Sequence, residues 1–175
     1  MIESVYWKEE LSRIARTLRP VKRPPRWSER LVCTTERDIM IGFFIIRRMI
    51  ELHKVSRQTS DLRVQVFSIR ALKKINKLSQ ISSDNYEWPE ETNAEEPLGY
   101  IANQFIHAYL SRVERNSQRN WSDIMVVSDF DRNDRIWRVP ISEVIRIFEI
   151  ASSDYPASLA YEWNEVKYDY SVVTE

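Results

Sequence analysis

One segment constrains the fold more than any other: the apolar run in the middle of residues 28–54. Apolar residues recur there at helical spacing, at Ile39, Phe43, Ile46 and Ile50. Further apolar residues widen the stripe on both sides, and a helix with so wide an apolar face packs against several neighbours. We therefore predict a central helix, capped at Ser28, around which the rest of the chain folds.

Other segments predict further helices and some strand. Residues 4–18 and 142–151 have helical periodicity, whereas residues 62–66 alternate apolar and polar as a strand does. Two strand-like segments around the polar turn DFDRND predict a hairpin over 123–139. Residues 69–78 fit either a helix or a strand. The predicted fold is α+β, with a mainly helical core of about four helices and a small antiparallel sheet that includes the 123–139 hairpin.

Opposite charges are segregated along a chain of zero net charge. Residues 1–80 hold 18 of the 26 Lys and Arg residues but only 8 of the 26 Asp and Glu residues. The length predicts a single domain over 1–175, with a basic part at 1–80, an acidic loop at 82–97 and an acidic part at 98–175. Either the basic part attracts a polyanion, or the two parts pair within the fold or between subunits. We favour pairing, because nucleic-acid-binding domains usually carry net positive charge.

The basic part contains a proline-rich connector at residues 19–27. Its candidate nucleic-acid-binding residues are Arg19, Lys22, Arg23, Arg26 and Trp27. Cations of this kind contact phosphates, and an aromatic ring stacks on a base. The alternative, which we favour, is a solvated connector whose tryptophan docks on the core.

Several classes of function are excluded by composition. Two glycines in 175 residues leave no room for a glycine-rich phosphate loop. One cysteine excludes an internal disulfide and a cysteine-based zinc site, and it favours a reducing, cytoplasmic location. The segment from Asp129 imitates a calcium loop but lacks its glycine and its bidentate glutamate. We expect no metal and no cofactor. We also expect no membrane association, because no apolar run approaches the roughly 20 residues that span a bilayer.

Most of the candidate chemistry lies in residues 96–115, which we predict to form one helix. Asn103, His107 and Ser111 are spaced by four residues and would line up along one face of it. Asn103 would orient the imidazole, so His107 would serve as a general acid or base near neutral pH. The alternative is a histidine that is hydrogen-bonded within a helix-packing interface.

Residues 102–109, ANQFIHAY, resemble the signature of the higher eukaryotes and prokaryotes nucleotide-binding (HEPN) superfamily. Asn103, His107 and Tyr109 match that signature in type and spacing. The resemblance implies a helical setting and metal-independent cleavage of RNA, commonly between two subunits, with His107 moving the proton and Tyr109 assisting. The family's arginine is replaced here by Ala102. A substitute cation would come from Arg47, Arg48 or Arg112.

Because Ala102 removes the cation that would stabilise the transition state, we expect a protein without catalytic activity. The primary hypothesis is an interaction or regulatory protein with an HEPN-like helical core, in a bacterial or phage defence or toxin–antitoxin-type system. Its partner would be another protein or a second copy of the chain. A metal-independent endoribonuclease that uses His107 is the alternative. A third hypothesis is a protein that binds RNA or DNA through the basic segment 19–30.

Overall fold

The chain forms a five-stranded antiparallel sheet with its main helices on one face. The computed structural model describes residues 4–166 and 168–174. The helices are α1 (Ser4–Leu18), α2 (Glu29–Glu51), α3 (Arg57–Ser60), α4 (Leu98–Ile106) and α5 (Ile141–Ser153). The strands are β1 (Arg63–Arg70), β2 (Thr92–Pro97), β3 (Ala108–Arg115), β4 (Trp121–Ser128), β5 (Arg135–Pro140), β6 (Leu159–Asn164) and β7 (Asp169–Thr174). The strand order is β2-β1-β5-β4-β3, and β6 pairs with β7 in a separate sheet.

Helix α2 is the central helix that its apolar face predicts. The Phe43 ring is fully buried and stacks on Phe105 of α4, with ring centroids 4.1 Å apart. It also meets the edge of Phe148 of α5 at 5.3 Å. A Cβ atom at Gly42 would lie 2.2 Å from Phe148 Cζ, so the close approach of α2 and α5 requires a glycine there. The core therefore gathers three helices around one aromatic cluster.

The two faces of the sheet are covered differently. Along β4, Ile124 and Val126 pack into the core that the helices share, whereas Met125 and Val127 belong to a second apolar cluster. This alternation follows from the two-residue period of a strand. The second cluster is covered by the segment 71–91, which is irregular apart from a 3-10 turn at Trp88–Glu90. Both faces of the central strands are consequently buried.

The predicted α+β class and the 123–139 hairpin are confirmed, since β4 and β5 pair with Val126 opposite Trp137. The sheet is larger than predicted, because five strands form one layer of the molecule, and the core is therefore not clearly mainly helical. Residues 69–78 are neither the helix nor the second strand considered for them, because β1 ends at Arg70. The acidic loop 82–97 is partly a strand, because its last six residues form β2 at the edge of the sheet.

The predicted helix over residues 96–115 is wrong. Helix α4 ends at Ile106, and the chain enters β3 at Ala108. Residues 108–115 pair with β4, and this pairing satisfies the backbone N–H and C=O groups that a longer helix would have bonded internally. Asn103, His107 and Ser111 thus lie on a helix, at its C-cap and on a strand, and not along one helical face.

Candidate functional site

A basic groove lies between the end of α1, the connector, the start of α2 and the turn between β3 and β4. Its cavity volume is about 450 Å³. The charged side chains that line it are Arg13, Arg16, Arg19, Arg115, Arg119 and Asp38. Five guanidinium groups thus face one carboxylate, and we name this cavity the arginine groove.

The connector that forms one wall of the arginine groove is held in place. The Val21 backbone N–H donates to Asn120 Oδ1 at 2.9 Å, and Asn120 Nδ2 donates back to the Val21 carbonyl at 3.3 Å. Arg115 Nη1 donates to the Pro25 carbonyl at 3.0 Å. The prolines of the connector also fix their own φ angles. This wall is therefore fixed before any ligand arrives.

Two of the lining arginines are neutralised within the protein. Arg13 bonds Glu10 at 2.7 Å and Asp38 at 3.2 Å, and the hydrogen bond to Glu10 is the main cause that raises the pKa of Arg13. Arg19 pairs with Glu149 at 2.6 Å. Within residues 4–166 and 168–174, the other three lining arginines make no ion pair: Arg16, Arg115 and Arg119.

Arg115 stacks on an aromatic ring that also lines the groove. Its guanidinium lies over the ring of Trp121, 4.2 Å from the centroid. Its Nε atom is buried and has no hydrogen-bond partner among the described residues. The contact with Trp121 and the hydrogen bond to the Pro25 carbonyl hold the Arg115 side chain at the wall of the groove.

Along the connector, the predicted nucleic-acid-binding residues are brought together beside the groove. Four cations, all exposed, make no ion pair within the part of the chain that the structure describes: Lys22, Arg23, Arg26 and Arg30. The indole of Trp27 is 65% exposed. The interpretation that this tryptophan docks on the core is therefore wrong, and the connector presents an aromatic ring among unpaired cations.

Pairing within the fold does little to neutralise the basic part of the chain. Of the 14 ion pairs between described residues, only two join residues 1–80 to the remainder, namely Arg19–Glu149 and Arg70–Glu87. The other twelve lie within one part or the other. The two parts nevertheless pack together in one fold, since β1 pairs with both β2 and β5, but few ion pairs join them and the basic part keeps most of its excess charge. Pairing of the two parts between subunits stays a prediction.

His107 lies at the junction of α4 and β3, where it is the C-cap residue of the helix. Its side chain is exposed and meets the Phe130 ring edge-on, with centroids 5.9 Å apart. Its carbonyl accepts a hydrogen bond from the Asp129 backbone N–H at 3.1 Å. No hydrogen bond between the Asn103 and His107 side chains is found in the described residues. The imidazole is neither oriented by Asn103 nor packed in a helix interface.

The three arginines that we considered as substitutes for the missing cation are engaged elsewhere. Arg47 and Arg48 both pair with Glu51, at 2.8 and 2.7 Å. Arg112 pairs with Glu114 at 2.6 Å and donates to the Ile81 carbonyl. The cation beside Tyr109 comes instead from the turn between β4 and β5.

That cation is Arg132, whose guanidinium lies 4.5 Å from the centroid of the Tyr109 ring. It also forms an ion pair with Asp129 at 2.8 Å. The sequence pattern gave no reason to select Arg132, because this contact depends on the turn folding back over β3.

A half-buried carboxylate network, which the sequence did not predict, lies beside the junction. Asp131 Oδ2 accepts hydrogen bonds from the Tyr100 hydroxyl, from Gln104 Nε2 at 2.9 Å and from Trp137 Nε1 at 3.5 Å. Burial, together with the bond to Asp131, raises the pKa of Tyr100 to about 12. The four-residue spacing of Tyr100 and Gln104 was the one available signal for it.

The segment from Asp129 that imitates a calcium loop belongs to the turn between β4 and β5. Asn133 Oδ1 accepts from the Ile75 backbone N–H at 2.9 Å, while Asp131 points to the network just described. The side-chain oxygen atoms of this segment thus accept hydrogen bonds from separate partners. The described residues contain no group of three or more His, Cys, Asp or Glu side chains with the geometry to hold a metal ion.

No family model matches the chain, and neither a curated protein nor a solved structure matches it. The resemblance of residues 102–109 to the HEPN superfamily stays a prediction, as do the protein partner, the dimer and the role in a defence system. In the described residues, no helix is long and apolar enough to cross a membrane.

Proposed function

We propose that the protein binds nucleic acid through the arginine groove and acts as a binding protein and not as an enzyme. One observation carries the proposal: three arginines without an ion pair among the described residues, Arg16, Arg115 and Arg119, line a single cavity, and exposed unpaired cations continue along the connector. Guanidinium groups suit phosphate, because their planar N–H donors match two phosphate oxygens at once.

The extent of the cations favours a polyanion over a small anion. The connector carries Lys22, Arg23 and Arg26, and Arg30 follows in the first turn of α2. A free phosphate or a small metabolite would touch only a part of this row. A nucleic-acid strand repeats its charge along its length and so can contact the groove and the connector together.

The zero net charge of the chain does not oppose the proposal. Few ion pairs join the basic and acidic parts, so the basic surface attracts a polyanion locally. Screening acts over about 8 Å at physiological ionic strength, and distant acidic residues therefore weaken this attraction little.

Salt dependence tests the proposal. Fluorescence anisotropy of a labelled oligonucleotide should show about 50-fold weaker binding at 200 mM than at 50 mM NaCl if roughly four phosphates are contacted. Arg57→Ala is the matched control, because this exposed arginine lies outside the groove and should leave the slope unchanged. An affinity that does not change with salt, or no binding at all, would overturn the proposal.

A ribonuclease at the junction of α4 and β3 is the second candidate. It is favoured by the exposed imidazole of His107 and by the Arg132 guanidinium over Tyr109. In this alternative His107 would move the proton and Arg132 would stabilise the developing negative charge. Incubation with RNA in EDTA tests it: cleavage by the wild type that both His107→Ala and Arg132→Ala abolish would support the enzyme. Intact RNA in every case would reject it.

A further inference from the structure

Trp27 is the residue that suggests a contact with bases in addition to phosphates. Its ring is 65% exposed and does not belong to either apolar cluster of the protein. Its neighbours in the chain, Arg23, Arg26 and Arg30, are exposed cations. The ring adds little to folding, whereas a flat aromatic surface among cations matches the requirements of a base attached to a phosphate.

The structure anchors the backbone of the connector close to Trp27. Arg115 Nη1 donates to the Pro25 carbonyl, and Pro25 precedes Trp27 by two residues, or at most about 7 Å of chain. The Asn120 bonds hold the same connector at Val21. A connector that is already ordered loses little conformational entropy when a ligand binds, so stacking on this ring would contribute most of its free energy to affinity.

A second flat surface lies within the groove itself. The Arg115 guanidinium covers one face of the Trp121 ring at 4.2 Å. Guanidinium planes and aromatic rings are the two platforms on which proteins stack unpaired bases. In the groove the guanidinium already occupies this face of Trp121, so the exposed ring of Trp27 is the surface on which we expect a base to stack.

The dimensions of the groove favour a single strand. A cavity of about 450 Å³ is in the range of pockets that enclose one small-molecule-sized group. A duplex keeps its base faces inside the stack, so it would offer phosphates to the arginines but no base to the Trp27 ring. A single strand offers both phosphates and base faces.

We infer that the ligand is single-stranded nucleic acid, with phosphates in the arginine groove and one base stacked on Trp27. This inference rests on the proposed function and narrows its ligand. The exposed indole selects single strands, while the arginines supply affinity that does not depend on sequence.

The test compares a labelled 20-nucleotide single strand with a duplex of the same length by fluorescence anisotropy at one salt concentration. We expect the single strand to bind at least tenfold more tightly. Trp27→Ala should weaken single-strand binding by about tenfold, and Trp27→Phe should keep most of the affinity, because an aromatic ring remains to stack. Neither variant should change duplex binding.

Tyr161→Ala, at an exposed aromatic residue on β6, is the matched control and should bind both ligands as the wild type does. Duplex binding equal to or tighter than single-strand binding, or a Trp27→Ala variant with unchanged affinity, would overturn the inference and leave the proposed function intact. Failure to bind either ligand would overturn both.

Discussion

The arginine groove and the α4–β3 junction differ in how far their charged groups are paired within the protein. At the junction, Asp131 accepts three hydrogen bonds, and Arg132 is paired with Asp129. In the groove, cations outnumber carboxylates, and Arg16, Arg115 and Arg119 make no ion pair among the described residues. Polar groups that satisfy one another stabilise the fold, whereas unpaired like charges add to affinity for an opposite charge. We therefore assign stability to the buried part of the junction and binding to the groove.

Charge reversal in the groove should give the largest effect on binding. Arg16→Glu combined with Arg119→Glu replaces two cations that make no ion pair and so should weaken nucleic-acid binding by roughly 100-fold, at about 1–3 kcal/mol per contact. Anisotropy titration measures this loss, and His107→Ala serves as the comparison at the junction. Equal losses in the two variants would remove the distinction between the regions.

Removal of the network acceptor should give the largest effect on stability. Asp131→Ala leaves the donors of Tyr100, Gln104 and Trp137 without their acceptor, so the free energy of unfolding should fall by about 2–3 kcal/mol. Denaturant unfolding measures the change. Asp129→Ala, which breaks only an ion pair at an exposed carboxylate, should cost less than about 1 kcal/mol. If Asp131→Ala weakened nucleic-acid binding while stability held, the assignment of the junction would be wrong.

Alkaline pH should destabilise the network gradually. The pKa of Tyr100 is raised from its ordinary value near 10 to about 12, so its contribution to stability is complete below pH 10 and is lost as the pH rises through 12. Burial also raises the pKa of Tyr86 to about 12, so part of the alkaline loss is independent of Tyr100.

Tyr100→Phe should consequently lose less stability between pH 9 and pH 11 than the wild type does. Denaturant midpoints at a series of pH values provide the measurement. Parallel decreases in the two proteins would show that the Tyr100 hydroxyl does not contribute to the pH dependence.

Trp27→Ala should have the smallest effect on stability, within about 0.5 kcal/mol of the wild type, because its ring is 65% exposed. A tryptophan docked on the core would cost about 3–5 kcal/mol when replaced by alanine. Thermal and denaturant unfolding separate the two values. A cost in the larger range would place the ring in the core and remove it from the binding surface.

Local patterns in the sequence were sufficient for several elements. The central helix and its Ser28 cap were predicted, and the Leu31 backbone N–H donates to Ser28 Oγ at 3.2 Å. The hairpin of β4 and β5 was also predicted, because its strands and its turn are adjacent in the chain. Periodicity and turn chemistry act over a few residues, and these elements depend on little else.

Other elements depended on contacts between distant residues. Residues 108–115 carry apolar side chains at spacings that fit a helix or a strand, and pairing with β4 decided for the strand. Strand β2 consists largely of polar and acidic residues, as edge strands often do, and so gave no apolar alternation.

The sequence predicted one wall of the candidate site but not the wall opposite it. The connector residues from Arg19 to Trp27 were identified from their composition, but the opposite wall of the groove is formed by Arg115 and Arg119, about 90 residues further along the chain. Only the fold brings the β3–β4 turn against the connector. The charge pattern is the basis for the proposed ligand, whereas the groove itself could be found only in the tertiary structure.

Ultraviolet cross-linking of a bound single-stranded oligonucleotide, followed by peptide mapping, tests the central claim most directly. We predict cross-links in residues 19–30 and 115–121, which form the arginine groove and its connector, and none in residues 100–109 or 129–132. Cross-links confined to the residues around His107 and Arg132 would contradict this account and would identify the junction of α4 and β3 as the site that contacts nucleic acid.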